Sequence, residues 1–242
     1  MVVELTGSTG VGKSTLAGRL LERLAERGQP AVSSEMFVAR CYGLQLGRLR
    51  WPVARSVVVD VLAFPWFVRF ALRRPGLCWF MVRIIWRDSD SLLFRLNVLR
   101  NIAKRLGAHE LLQRRGCAGE VVIADEGMVH QAHSLFVHPQ TAPRPQELAR
   151  FVADVPLPDL LVLVEGPTPE VVRRTAQRGH QRLPGAQIAQ VGPFVERAQL
   201  VLRCVVELAS DRTATAVVRN FGVGSAALYT ALDDVISRLA PG

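Results

Sequence analysis

Lysine is nearly missing from this chain of 242 residues: Lys13 and Lys104 are the only two among 30 basic residues. A GC-rich codon usage produces such a bias, yet the one lysine of the first hundred residues stands where a flexible point charge is useful. Cysteine is sparse as well. Cys41, Cys78, Cys117 and Cys204 are scattered without paired metal-ligand spacing, and they read as reduced thiols in a cytoplasmic protein. Uninterrupted apolar stretches of transmembrane length are also missing, because Asp60, Arg69, Arg73, Arg74, Arg83 and Arg87 break up the apolar middle. No basic region precedes the first apolar run, so no secretory leader is expected. Internal repeats and low-complexity tracts do not occur.

What is present argues for a folded domain. Hydrophobic residues make up 49% of the chain, far above the composition of disordered segments. The length suits one domain, 1–242, with room for a lid and an insert. Formal net charge is +9, but residues 44–116 hold 14 Arg or Lys against 4 Asp or Glu. The remainder is close to neutral, so the positive charge lives in that middle segment.

Residues 7–15 read GSTGVGKST, directly after the apolar run MVVELT. They match G-x-x-x-x-G-K-[ST] at Gly7, Gly12, Lys13 and Ser14. Glycines let a backbone wrap closely around phosphate oxygens, with amide N–H groups and a helix N-terminus supplying positive potential. The whole loop (Gly7, Ser8, Thr9, Gly10, Val11, Gly12, Lys13, Ser14 and Thr15) is expected to cradle the phosphates of ATP. Lys13 reaches the outer phosphates in this reading, and the Ser14 hydroxyl ligates Mg²⁺.

The periodicity predicts a strand over 2–5, then a helix with an apolar stripe at Leu16, Leu20, Leu21 and Leu24 that stops near Gly28. A short strand over 31–34 ends at Glu35. A basic, apolar helical insert is expected over 44–116, divided at Pro52, Pro65 and Pro75. Strands follow over 120–127, 159–166 and 213–218, alternating with helices over 146–155, 194–209 and 225–239. Thr168, Pro169 and Glu170 read as cap, first position and first-turn acid of a further helix. This alternation predicts an α/β three-layer sandwich around a mainly parallel five-stranded sheet, with sites at the carboxyl ends of the strands.

Several side chains at those strand ends carry chemistry. Asp125 closes an apolar strand, where a carboxylate is costly unless it meets a charge, and Mg²⁺ at the loop is that charge. Glu126 either polarises water or orients an acceptor. Glu35 either accepts a proton from an acceptor hydroxyl or is a solvated loop residue. Arg173, Arg174, Arg178 and Arg182 follow a strand at near-helical spacing; Arg174 and Arg178 share a face and suit a lid over 166–186 that neutralises a transferring phosphoryl group. His130, His133 and His138 match no dedicated metal spacing, and no zinc site is expected from them.

The order of these parts resembles the thymidylate kinase-like branch of the P-loop nucleoside and nucleotide kinases. GSTGVGKST looks like the ATP loop of that family, ELARFVADVPLPDLLVLVEGPTPEVVRRTAQRG like its helix, fourth strand and Arg-bearing lid, and FVERAQLVLRCVVELA and TATAVV like the elements that close it. The resemblance implies ATP and Mg²⁺ as cofactors, Arg174 and Arg178 on the phosphates, and an acceptor held by Glu35 and residues 125–127. Asp125-Glu126-Gly127 stands where the family carries Asp-Arg or Glu-Arg-Ser, and Glu35 lacks the Pro-Gly-Gly that follows it there. These departures point away from thymidylate as the acceptor.

The leading expectation is therefore a Mg-ATP-dependent small-molecule kinase, a phosphotransferase acting on a nucleoside, a nucleotide or another hydroxyl- or phosphate-bearing metabolite. The alternative is a P-loop ATPase or nucleotide switch coupled to a partner or a membrane surface; a sulfotransferase fits less well. In the insert, Trp and Phe interleave with Arg over 51–87. That pattern suits a helical lobe on the sheet, a homodimer contact, an apolar acceptor pocket or peripheral contact with an anionic membrane. Specific nucleic-acid binding is not expected, because no recognition motif accompanies the charge.

Overall fold

The computed structural model describes residues 1–48, 51–89, 91–117, 119–138, 142–179, 183, 188–220 and 226–237. Five strands, β1 (Val2–Thr6), β2 (Ala31–Ser33), β3 (Val121–Ala124), β4 (Leu160–Glu165) and β5 (Ala214–Arg219), form one sheet in the order β2-β3-β1-β4-β5. Every pairing is parallel, and β1 is central, with Val3 opposite Ile123 on one side and Leu160 on the other. Among the described residues, ten α-helices flank it: α1 (Lys13–Glu26), α2 (Ser34–Arg40), α3 (Pro52–Arg73), α4 (Pro75–Asp88), α5 (Leu92–Arg115), α6 (Gln131–Phe136), α7 (Pro145–Asp154), α8 (Thr168–Arg178), α9 (Ile188–Ala209) and α10 (Ala226–Ser237).

The strands are apolar on both faces, as a covered parallel sheet requires. Val3, Leu5, Ile123, Leu160 and Val162 share a core with Leu16, Leu20 and Leu24 of α1 and Val171 of α8. Alternate residues Leu161 and Leu163 turn the other way, onto Phe136, Phe151, Phe194 and Leu202. β1 is different on that second face: Glu4 and Thr6 are buried there. Adjacent strands thus leave the sheet on opposite sides at β1 and β3, and the crevice at their carboxyl ends is where such sheets place ligands.

The helical insert is three long helices. Pro52 and Pro75 occupy first turns, but Pro65 lies inside α3 instead of dividing it. Both Pro65 and Val61, four residues earlier, are exposed, so the carbonyl that loses its amide partner lies toward water. α3 and α5 meet backbone to backbone: a Cβ on Gly107 would stand 2.1 Å from the Ala63 carbonyl oxygen. The opposite face of α3 is uncovered. Val53, Val57, Val61, Phe64, Val68 and Leu72 recur every three or four residues and are 41 to 78% exposed, a stripe about 30 Å long. No helix among the described residues is long and apolar enough to cross a membrane.

Two further expectations change. β2 ends at Ser33, whose hydroxyl accepts the Met36 amide and caps α2, so Glu35 sits in the first turn of a helix and not at a strand end. Thr168 does not cap α8; its hydroxyl donates to Gln199 Oε1 at 3.0 Å. Of the expected lid, residues 166–179 and 183 are described, and Arg182 lies outside the described residues.

Candidate active site

β1 passes into α1 through the glycine loop, and the fold leaves that loop no space for side chains. Gly10 and Gly12 have φ of 82° and 98°, the left-handed region that glycine enters without strain. A Cβ would meet Val164 O at 2.5 Å on Gly7, Thr175 Oγ1 at 2.8 Å on Gly10 and Asn220 Nδ2 at 2.4 Å on Gly12. Two of those neighbours fasten the loop. The Thr175 hydroxyl donates to Thr9 O at 2.8 Å, and Asn220 Nδ2 donates to Val11 O at 2.7 Å.

Lys13 is buried and curls into the loop, donating to Gly7 O at 2.9 Å and Ser8 O at 3.2 Å. Its ammonium also lies 3.6 Å from Glu126 Oε1. Burial pulls its pKa below the ordinary lysine value, against the fields of Glu126 and Asp125. Asp125 follows β3, as expected. Burial raises its pKa, and the Ser14 hydroxyl bonded to it works the other way. Its Oδ1 is buried and has no hydrogen-bond partner among the described residues, and neither has the buried Ser8 Oγ. A buried carboxylate oxygen without a partner, beside a hydroxyl at the start of α1, fits a Mg²⁺ ion shared by Ser14 and Asp125.

Glu126 is the hub of a cation cluster. Arg105 Nη2 donates to its Oε2 at 2.7 Å, and His130 Nε2 lies 3.5 Å from Oε1. Burial alone would raise its pKa, but the charges of Arg105 and Lys13 outweigh that and keep it ionised. Behind it, Glu4 accepts the His130 amide at 2.7 Å, and burial pushes its pKa up to about 7. Gly127 is required here, since a Cβ would fall 2.4 Å from Glu4 Oε2. Burial also lowers the His130 pKa to about 3, so the ring is neutral near pH 7. It contacts Thr6 Oγ1 through Nδ1 at 3.2 Å and stacks on His133 at 5.5 Å.

Glu35 reaches the same neighbourhood by another route. Lys104 Nζ donates to its Oε1 at 3.1 Å. Glu35, Glu126, Lys104 and Arg105 line one cavity of about 60 Å³ between α5 and the sheet, with Glu4 and Gly127 behind them. Two consecutive residues of α5 therefore hold the two candidate acids, one each. On α8, Thr175 packs on the loop, but Arg174 is turned to Glu170 at 2.8 Å and Arg178 is exposed at the end of the helix. The structure thus brings together Lys13, Ser14, Asp125, Glu126 and Glu35, and leaves Arg174 paired elsewhere.

Sequence reasoning missed Lys104, Arg105, Thr175, Asn220 and the Glu4–His130 contact. Only Glu4 left a signal, a charged residue inside the apolar run VVELT.

No family model matches the chain, and no curated protein matches it. Solved structures do share its architecture. Deoxyadenosine kinase from M. mycoides, solved with the products dCMP and dCDP, is 13% identical over 99% of this chain and 98% of that one, with a TM-score of 0.50. Thymidylate kinase from Ehrlichia chaffeensis is 12% identical over 99% and 98%, also with a TM-score of 0.50. At such identity the likeness is one of fold: the parallel five-stranded sheet with flanking helices is that of the P-loop kinases.

Proposed function

We propose that the chain is a Mg-ATP-dependent small-molecule kinase of the thymidylate kinase-like kind, acting on an acceptor other than thymidylate. The observation that carries this reading is the unpartnered Asp125 Oδ1 beside Ser14, at a glycine loop whose cavity-side neighbours are two acids, Glu126 and Glu35. Loop amides and Lys13 bind the phosphates, and Ser14 and Asp125 hold Mg²⁺. The metal, when bound, neutralises charge on the β- and γ-oxygens. An acceptor oxygen then attacks the γ-phosphorus, the bond to the ADP oxygen breaks, and Glu35 or Glu126 takes the hydroxyl proton. Arg174 leaves Glu170 to meet the transferring group, with Arg178 one turn on, and closure excludes water.

In this reading residues 1–242 form one kinase domain, 44–116 its insert and 166–186 its lid. The protein works in the cytoplasm, with peripheral contact to anionic membrane through 51–87 or a homodimer contact on the same lobe. One observation favours a second reading, an ATPase or nucleotide switch: Glu126, ionised and 3.6 Å from Lys13, is placed to orient water.

The deciding experiment is ADP release from Mg-ATP, alone and against nucleosides, nucleotides, sugars and lipid alcohols, with Lys13→Ala as control. Release that rises with one acceptor class supports the kinase. Equal, Lys13-dependent release without any acceptor supports the switch.

A further inference from the structure

A second cavity, larger than the one that holds Glu35 and Glu126, lies outside the phosphate site, inside the insert. It measures about 390 Å³, within the range of small-molecule pockets, and is walled by Phe64 and Phe67 of α3, Met81 and Val82 of α4, and Leu99 and Ile102 of α5. Charged residues in the wall are Asp60, Arg100 and Lys104: Asp60 Oδ2 pairs with Arg100 at 3.2 Å and Lys104 with Glu35 at 3.1 Å, while the buried Asp60 Oδ1 has no hydrogen-bond partner among the described residues. The cavity is open to the surface, a groove and not a void in a packed interior.

Two residues tie this cavity to its surroundings. Lys104 belongs to its wall and also to the wall of the 60 Å³ cavity that holds Glu35 and Glu126. Phe64 belongs to its wall and also to the exposed apolar stripe of α3, so the opening faces an apolar surface. The volumes differ in kind. The smaller cavity, with the Glu35 and Glu126 carboxylates set in an otherwise mostly apolar wall, has room for about four water molecules, enough for a hydroxyl head and its first carbons. The apolar one suits a hydrocarbon chain, which gains by leaving water and asks for no hydrogen bonds.

We propose that the acceptor is an amphiphilic alcohol, its hydroxyl end set between Glu35 and Glu126 and its alkyl chain lodged between α3, α4 and α5. This rests on the kinase reading above and narrows it. The alcohol oxygen bonds to the γ-phosphorus, the bond to the ADP oxygen breaks and the hydroxyl proton passes to a carboxylate, giving an alkyl monophosphate and ADP. Lys104 sits at the join, where its release from Glu35 frees that carboxylate as the head enters.

Titration calorimetry of the full chain with n-alkanols from hexanol to decanol tests the chain site without turnover. Affinity is expected to rise about fourfold per methylene, the transfer free energy of one CH₂. Radiolabelled phosphate from ATP is expected on decanol and not on ethanol, and to vanish in Lys13→Ala. Ala103→Phe and Cys78→Phe, which fill the cavity, should each lower decanol affinity at least tenfold, with melting temperature and ATP affinity reporting whether the variants are folded. If neither folds, the chain-length series on the natural sequence decides. Affinity that ignores chain length, or transfer to a compact nucleoside without alkanol binding, overturns the amphiphile and leaves the kinase standing. ADP release that no acceptor raises overturns the kinase reading and the acceptor with it.

Discussion

Lys13 Nζ and Glu126 Oε1 stand 3.6 Å apart, joining the glycine loop to the end of β3. The ammonium has three donors: two serve Gly7 O and Ser8 O and the third faces Glu126, so an outer phosphate must take a donor from one of these oxygens. Lys13→Ala is expected to lower ADP release by about 10²–10³-fold, the size of losing one preorganised charge at a transferring group. Steady-state kinetics with Mg-ATP measures it.

The loop fasteners give a second, independent handle. Thr175→Val and Asn220→Ala each remove one hydrogen bond to a loop carbonyl and should cost about 1 kcal/mol of stability. Nucleotide affinity should fall several-fold, because the cradle loses its fixed shape. Gly12→Ala should do worse than either, combining a φ of 98° with contact on Asn220. A fluorescent ATP analogue reads affinity, and urea unfolding reads stability. Unchanged affinity in all three variants would show that the loop needs no fastening.

Glu4 makes stability depend on pH. Its pKa is about 7 in the folded chain against an ordinary 4.5, so the folded state holds a proton that the unfolded state has lost. The contribution is fully present below pH 4.5 and is lost as pH rises through 7. At about 1.4 kcal/mol per pH unit this amounts to roughly 3 kcal/mol. Glu4→Gln keeps an acceptor for the His130 amide and removes the titration, so the stability of the natural sequence relative to this variant should fall as pH rises from 4.5 through 7, while the buried neutral His130 and His109 shift both proteins alike.

Asp125→Asn addresses the metal. The variant keeps the size of the side chain and removes the charge that faces Ser14. The Mg²⁺ concentration for half-maximal ADP release is expected to rise about ten- to hundredfold. Electron paramagnetic resonance of bound Mn²⁺ reports the same loss without turnover.

The exposed stripe of α3 predicts surface binding. The full chain should co-sediment with vesicles containing anionic lipid and leave them in salt, as a basic lobe with an apolar face does. Val61→Asp together with Val68→Asp should abolish it. No sedimentation at low salt would assign the stripe to a second copy instead, and sedimentation equilibrium would then show a dimer that the same substitutions dissociate.

The parts of this molecule that announced themselves in the sequence are those built from neighbours along the chain. Gly7 to Thr15, the apolar strands and the amphipathic α1 depend on local spacing, and spacing is what a sequence displays. The pairs that complete the site do not. Lys104 and Glu35 are 69 residues apart, and Asn220 and Val11 are 209 apart. Nothing at either end marks its partner. Pro65 misled for a related reason: the carbonyl that an interior proline orphans costs less where water reaches it, and Val61 and Pro65 lie on the exposed face of α3. Glu35 was displaced by one capping hydroxyl, that of Ser33, which ends β2 a residue short of the expected strand over 31–34 and starts α2 at Ser34.

Asn220 also sets an order in time. The glycine loop is synthesised before both of its fasteners, Thr175 and Asn220, which follow their loop partners by 166 and 209 residues. β1 lies between β3 and β4 and has no neighbour to pair with until residues 121–124 and 160–165 exist. A growing chain therefore carries its phosphate loop unfastened until Thr175 has emerged and half-fastened until Asn220 has, so a settled nucleotide cradle has to wait for both.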